Sequence, residues 1–151
     1  NVLCPYDLTL ERHRLMWLYL KNHSDFFTKQ NNKVLHIAPE QCFHKRFKKQ
    51  RNLEYLTGDL VSPLADLHFD LHSVPLEDNQ YDVIFCNHVM EHVDDAIQCM
   101  SELFRVMKPG GWGLLEKLLM KMHPSLHLKL GRNIIGRKIM FVYSVKITQI
   151  G

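Results

Sequence analysis

The chain of 151 residues reads as one α/β domain, with helices flanking a mostly parallel sheet. Three observations predict this. KVLHIA and YDVIFCNHV are short runs, apolar at nearly every position, as strands buried on both faces require. Stretches with apolar residues three and four apart stand between such runs. Pro, Gly and Asn punctuate the boundaries, giving the order β-α-β-β/α-β-α-β.

Residues 9–22 (TLERHRLMWLYLKN) predict an amphipathic helix, capped by Thr9 and burying Leu10, Trp17, Leu18 and Leu20. Asn31 and Asn32 break it, and KVLHIA comes next as the first strand. Pro39 suits the first turn of the next helix, where Phe43 and Phe47 stand at i, i+4. LEYLTGDL (53–60) predicts a second strand and LADLHFDL (64–71) a third, shorter and more polar one. YDVIFCNHV is the fourth. Asp94 and Asp95 then open a helix with Ile97, Met100, Leu103, Phe104 and Met107 on one face. KPGGWGLLE breaks that helix and begins a further strand. The sequence divides into an N-terminal helical segment (1–32), a core (33–116) and an atypical tail (117–151), without internal repeats.

Composition narrows the class. An apolar share of 46% and a charged share of 23% are ordinary for a soluble globular chain. No apolar run reaches 18 residues and no signal peptide is visible, so a cytoplasmic protein without a membrane partner is expected. Asn1 in place of Met predicts a start inside a longer reading frame. Cys4, Cys42, Cys86 and Cys99 are scattered without a CxxC pair, which fits a reducing compartment and no metal site. The net charge of +3 comes mainly from His44–Arg51 and the tail. The run HKRFKKQR, with Phe43 and Phe47, invites an RNA-binding module, but such runs are commonly the solvated face of a helix.

In an open parallel sheet, ligands bind outside the carboxyl ends of the strands. After the first strand stand His36, Ala38, Pro39 and Glu40; after the second, Asp59; after the third, Asp70; after the fourth, Asn87 and His88. A carboxylate in the position of Asp59 accepts two hydrogen bonds and suits the two hydroxyls of a ribose. The bland alternative is a solvated turn aspartate after Gly58.

Four segments, KVLHIAPE, TGDLVSP, PLEDNQYDVIFCNHVMEHVDD and ELFRVMKPGGWGLLE, resemble in order and spacing the class I S-adenosylmethionine-dependent methyltransferases of the type 11 kind. The resemblance runs from Lys33 to Glu116, and its last two segments are the specific ones. It implies a Rossmann-like three-layer sandwich, S-adenosylmethionine as cofactor and methyl transfer to an acceptor the sequence does not identify. It also implies roles. Ile37, Ala38, Pro39 and Glu40, with His36, would back the methionine part of the cofactor. Asp59 would hold the ribose, with Leu60 flanking the adenine. Asp70 and Leu71 would meet the adenine edge and face. Asn87 and His88 would line the floor under the sulfonium, with His88 the candidate general base; His92 reads more simply as helix-start packing. The rival reading is a non-catalytic Rossmann-like remnant.

Two departures stand out. The family's first motif ends in a DxGxGxG loop, whereas this chain has His36, Ala38, Glu40 and Cys42 at those places. Loss of glycines that allow close backbone approach predicts a differently shaped site, and LHIAPE resembles a variant first motif of the same family. The absence of GxGxxG also speaks against a nicotinamide enzyme. After Glu116 the resemblance stops. The tail is basic, contains no Asp or Glu and has no clear period. Read one base out of frame it permits a WxxDHVRLFGxDY run like the family's post-core segment, so a frameshift product from about residue 117 is expected, with missing or altered C-terminal strands. Its alternative is a genuine tail packing IMFVYSVKI as an edge strand.

Overall fold

A computed structural model describes residues 4–6, 9–118 and 138–144. Its elements are α1 (Glu11–His23), β1 (Asn32–Ile37), α2 (Gln41–Phe47), β2 (Leu53–Asp59), β3 (Leu67–His68), β4 (Tyr81–Cys86), α3 (Ala96–Val106), β5 (Met107–Leu118) and β6 (Lys138–Ser144). The strands form one sheet in the order β3-β2-β1-β4-β5-β6, every neighbouring pair parallel. This is the doubly wound arrangement predicted, with strand order reversing between β1 and β4. Most of the tail for which a frameshift is expected, residues 119–137 and 145–151, lies outside the described residues. Lys138–Ser144 pairs with β5 as a parallel strand.

The strands are apolar on both faces because each face carries a helix layer. Met16 and Leu20 of α1, Phe26, and Phe43 and Phe47 of α2 pack on Val34, Val83, Phe85 and Leu114. On the other face Cys99, Met100, Leu103 and Val106 of α3 pack on Leu35, Ile37, Ile84, Cys86 and Leu115. Alternate residues of β1 and β4 therefore point into different cores.

Several boundaries and faces differ from expectation, each for a physical reason. Thr9 is buried but does not cap α1. Leu10 precedes the helix, and its N–H donates to Nδ1 of His13 at 3.1 Å. The helix buries His13, Met16 and Leu20, while Leu18 is 53% exposed, because a polar side chain turns inward toward α2. In α3 the predicted face keeps Met100 and Leu103 but is rotated partway around the helix: Ile97 is 61% exposed, Cys99 and Val106 are buried, and Met107 is buried but opens β5. The expected N-terminus of α3 holds, since Asp95 accepts from the N–H groups of Ile97 and Gln98. The KPGG segment forms a bulge, with the register shifting between Tyr81↔Met107 and Val83↔Trp112 and Gly110 at φ 81°.

The third strand is the largest departure. Of the predicted residues 64–71 only Leu67–His68 pair with β2. Asp66 is drawn out of strand geometry by Thr57, whose N–H and hydroxyl both donate to it, and by Lys48 at 2.9 Å. Asp70 then starts a turn, accepting from the N–H of His72.

Asp82, at the start of β4, ties three segments together. It accepts from Lys29 at 2.8 Å, Lys108 at 2.8 Å and the N–H of Lys33 at 3.0 Å. Burial alone would raise its pKa. The lysines and the amide outweigh that and hold it at about 2. A folded pKa below the unfolded value means stability that is fully present above about pH 4 and is lost as pH falls toward about 2. Asp82→Asn is expected to cost about 1–2 kcal/mol at pH 7, allowing for screening at the half-exposed lysine heads. Urea unfolding at pH 7 and near pH 2 checks this, and a variant deficit that persists undiminished at the acid end contradicts it.

Candidate functional site

At the carboxyl ends of β1, β2 and β3 lies a crevice of about 340 Å³, lined by Ile37, Ala38, Asp59, Leu60, Phe69, Asp70, Leu71, His72, Val89, His92, Val93 and Asp94. Six residues singled out in the sequence meet here: Ile37, Ala38, Asp59, Leu60, Asp70 and Leu71. A larger, shallower groove, about 450 Å³, lies among residues that begin the strands, Lys33, Glu54 and Tyr81, away from the ends where such sheets bind ligands.

The two carboxylates of the crevice are built by short local turns. One oxygen of Asp59 accepts from the N–H groups of Val61 and Ser62, at 2.8 and 2.7 Å, which fixes the loop after β2. Asp59 is thus a turn aspartate, as the bland reading has it, and yet faces the crevice with its other oxygen unused in these bonds. Asp70 accepts from the N–H of His72 and from its Nδ1 at 2.6 Å. These bonds from His72 hold the Asp70 carboxyl below the usual range. The Nε2 of His72 accepts from the N–H of Asp95, and its carbonyl from Gln98, so the carboxylate is strapped to the start of α3. Sequence reasoning missed His72; its nearness to Asp70 is visible in DLH, but its link to Asp95 exists only in the fold.

Between β1 and β4 lies a second set of groups. His36 is fully buried, its Nδ1 2.8 Å from the Tyr55 hydroxyl and its Nε2 3.0 Å from Oε2 of Glu40. Asn87, also buried, donates to Glu40 at 3.3 Å, and His13 of α1 stands 3.7 Å from the same carboxylate. His36 and Asn87 stand beneath the surface, and neither they nor Pro39, Glu40 and His88 are among the residues that line the crevice, which takes Ile37 and Ala38 from the same loop. Burial pushes the Glu40 pKa up, but the bonds from His36 and Asn87 and the nearby imidazoles bring it below the ordinary value. Glu40 is the residue just before α2, and Pro39 precedes it.

His88, the candidate base, has its Nδ1 3.2 Å from Oε1 of Glu91. Its backbone is left-handed, φ 54°, as is that of Ala38 at φ 50°. Two strained non-glycine residues thus end the two strands that flank the reversal in strand order, where such strain commonly marks function. His92 is exposed and lines the crevice; its N–H donates to the carbonyl of Val89.

Two cations of the basic run, Arg46 in α2 and Lys48 just after it, contact side chains of the same fold. Arg46 stacks over Trp17 at 5.2 Å, Lys48 pairs with Asp66, and Phe43 and Phe47 turn inward. Among the described residues no helix is long and apolar enough to cross a membrane.

The model of the methyltransferase domain family matches residues 21–115. A tRNA U34 carboxymethyltransferase of Nautilia profundicola is 25% identical over 126 residues, covering 73% of this chain and 41% of that protein. The ubiquinone/menaquinone biosynthesis C-methyltransferase UbiE of Desulfotalea psychrophila is 36% identical over 42 residues, covering 28% and 17%. Among solved structures, a phosphoethanolamine N-methyltransferase of Haemonchus contortus, bound to S-adenosylhomocysteine, superposes with a TM-score of 0.55 at 15% identity, covering 78% of this chain and 32% of that one. The cyclase SpnF gives 0.57 at 15%, covering 71% and 45%. The chain spans less than half the length of each of these proteins.

Proposed function

Because the chain belongs to the methyltransferase domain family, we propose that its crevice binds S-adenosylmethionine and serves methyl transfer to an acceptor yet to be identified. The observation that carries this is the convergence of Asp59 and Asp70 on one crevice of about 340 Å³, beside Ala38 at the end of β1. That volume lies within the range of about 300–1,000 Å³ common for small-molecule sites.

Within this reading the free oxygen of Asp59 receives the ribose hydroxyls, and Leu60 flanks the adenine. Asp70 meets the amino edge of the adenine and Leu71 its face. The loop Ile37–Glu40 backs the amino-acid end. The cofactor supplies a methyl group already activated on sulfur, so the protein mainly has to align the acceptor and exclude water. His88, polarised by Glu91, takes a proton from an acceptor that must lose one. The cofactor-binding core comprises residues 33–116, and a cytoplasmic setting fits its four unpaired cysteines.

Calorimetry with S-adenosylhomocysteine tests the proposal. Micromolar binding is expected, weakened about hundredfold or more in Asp59→Ala, since a lost pair of charged hydrogen bonds costs about 3 kcal/mol. Absence of heat at millimolar ligand favours the non-catalytic remnant instead.

A further inference from the structure

We infer that the outer face of α1 and α2 is a docking surface for a single strand of RNA, and that this strand is the methyl acceptor. The assignment as acceptor rests on the reading of the crevice as an S-adenosylmethionine site; the surface itself does not. Charge is segregated across the sheet. Between Glu40 and Glu54 stand Lys45, Arg46, Lys48, Lys49 and Arg51 with no acidic residue, and α1 carries Arg12, Arg14 and Lys21 against one acid, Glu11. Residues 73–104, the run that leads through β4 into α3, hold acidic residues from Glu77 to Glu102 and neither Lys nor Arg. The layer built on α1 and α2 is therefore basic and the layer built on α3 acidic, a distribution that orients an approaching polyanion.

The two helices also form a track. Sγ of Cys42 lies 3.3 Å from Nδ1 of His13, and the Phe47 ring stacks on Trp17, so α1 and α2 run side by side in the same direction. Helices packed in this way stand about 8–10 Å apart, and the shallow furrow between them suits one strand rather than a duplex. Arg14 and Lys21 stand three before and four after Trp17, on the side of α1 turned to α2. Arg46 reaches across to lie over the half-buried Trp17 ring at 5.2 Å. Lys45 and Lys49 stand one turn apart on α2 and its extension, where the N–H of Lys49 donates to the carbonyl of Arg46, and Arg51 follows. Arg14, Lys21, Lys45, Lys49 and Arg51 are all exposed, and among the described residues none of them is held by a carboxylate. Lys29, Lys33, Lys48 and Lys108, by contrast, are each paired. Cations left in solvent along a furrow with an aromatic floor are the combination that holds single strands, phosphates on the charges and bases on the ring.

The furrow opens toward the crevice. α2 begins three residues after Ala38, which lines the crevice, and α1 starts beside the first turn of α2. A strand lying along both helices brings one nucleotide to the carboxyl ends of the strands. Unpaired loops are the form in which RNA is read, which matches a track for one strand. A membrane is the weaker occupant, because α1 exposes only Leu15 and Leu18 and presents no continuous apolar face to lipid.

The test uses the full chain without cofactor and a fluorescently labelled RNA of about 12 nucleotides, within the site sizes of single-strand binders. Anisotropy is expected to show micromolar binding that weakens about fiftyfold from about 50 to about 200 mM salt, as about four phosphate contacts at a logarithmic slope of about 0.7 each require. A duplex of the same length should bind about tenfold more weakly, since only the single strand reaches the ring. Lys45→Glu with Lys49→Glu, and separately Arg14→Glu with Lys21→Glu, should each weaken binding about tenfold or more, while Lys45→Arg with Lys49→Arg stays within about twofold. Unchanged urea midpoints tie these losses to the surface and not to the fold. Equal binding of single strand and duplex by the unaltered protein overturns the inference with no variant needed, and so does tighter binding of DNA of the same sequence. Charge reversals that leave RNA affinity unchanged overturn it too, as does binding of phosphatidylserine vesicles where RNA fails to bind. RNA binding by a chain that gives no calorimetric response to S-adenosylhomocysteine overturns the assignment of the strand as acceptor. A response to S-adenosylhomocysteine without RNA binding overturns the docking surface alone.

Discussion

Phe47→Ala is expected to remove about 3–5 kcal/mol of folding stability, the range for emptying a buried phenylalanine site. Phe47 has no exposed surface. Its ring lies 5.0 Å from Phe26, 5.3 Å from Phe43, 5.6 Å from Phe85 and 5.7 Å from Tyr55, and it stacks on Trp17 at 6.2 Å. One side chain thus joins α1, α2, β2 and β4. The neighbours are stiff aromatic rings, poorly able to collapse into the space, so the loss belongs at the upper end. Against a total of about 5–15 kcal/mol for an ordinary domain, this is a third or more of the whole. Urea unfolding measures it, with Leu18→Ala, on the exposed side of α1, as the control expected within about 0.5 kcal/mol. A Phe47→Ala loss below about 1 kcal/mol, outside the expected range, would show that the aromatic cluster does not pack as described.

Gly58→Ala acts on fold and site together. A Cβ at Gly58 would stand 2.4 Å from Cζ of Phe69, closer than two carbons can approach, and 3.5 Å from Ile37. The backbone of β2 is fixed by pairing with Ile37 on one side and Leu67 on the other, so the ring has to move. Phe69 lines the crevice, and displacement carries it toward the space proposed for the nucleoside. Overpacking of this kind costs about 1–3 kcal/mol. Affinity for S-adenosylhomocysteine is expected to fall about tenfold or more, or about 1.4 kcal/mol at least. A second change, Phe69→Leu, relieves the clash and should return most of the stability without restoring full affinity, because the two residues touch and their effects do not add. Additive losses in the double variant would refute the clash.

The features legible in the sequence are those that depend on local pattern. The buried strands declare themselves because both faces are covered, and Asp59 and Asp70 stand out as the acidic residues at strand ends. Helix faces are less legible. Polar His13 turns inward toward Glu40 and Cys42, and no hydrophobic period signals that. LADLHFDL looks like a strand, but the competing bonds of Asp66 and Asp70 leave it two paired residues. The partners of Glu40 and Asp70 are not legible because they come from 15 to 47 positions away: Tyr55 by way of His36, Asn87, and Asp95 by way of His72. Arg105 is equally silent in the sequence. It donates to the carbonyls of Val74 and Leu76 and to Asp78 and Glu102, fastening the segment that leads into β4 to α3. Nothing in LFRV distinguishes it from a surface arginine.

A sheet in which every adjacent pair runs the same way has no hairpin to start from. β1 reaches β2 only by way of α2, β4 reaches β5 only by way of α3, and β1 pairs with β4 across the whole of α2, β2 and β3, so loop-closure entropy is spent before these ladders form. Acquisition of the native state by this chain is therefore governed by distant pairings, and its refolding belongs with the slow, high-contact-order class. Until β1 and β4 have met, nothing brings the two sides of the crevice together.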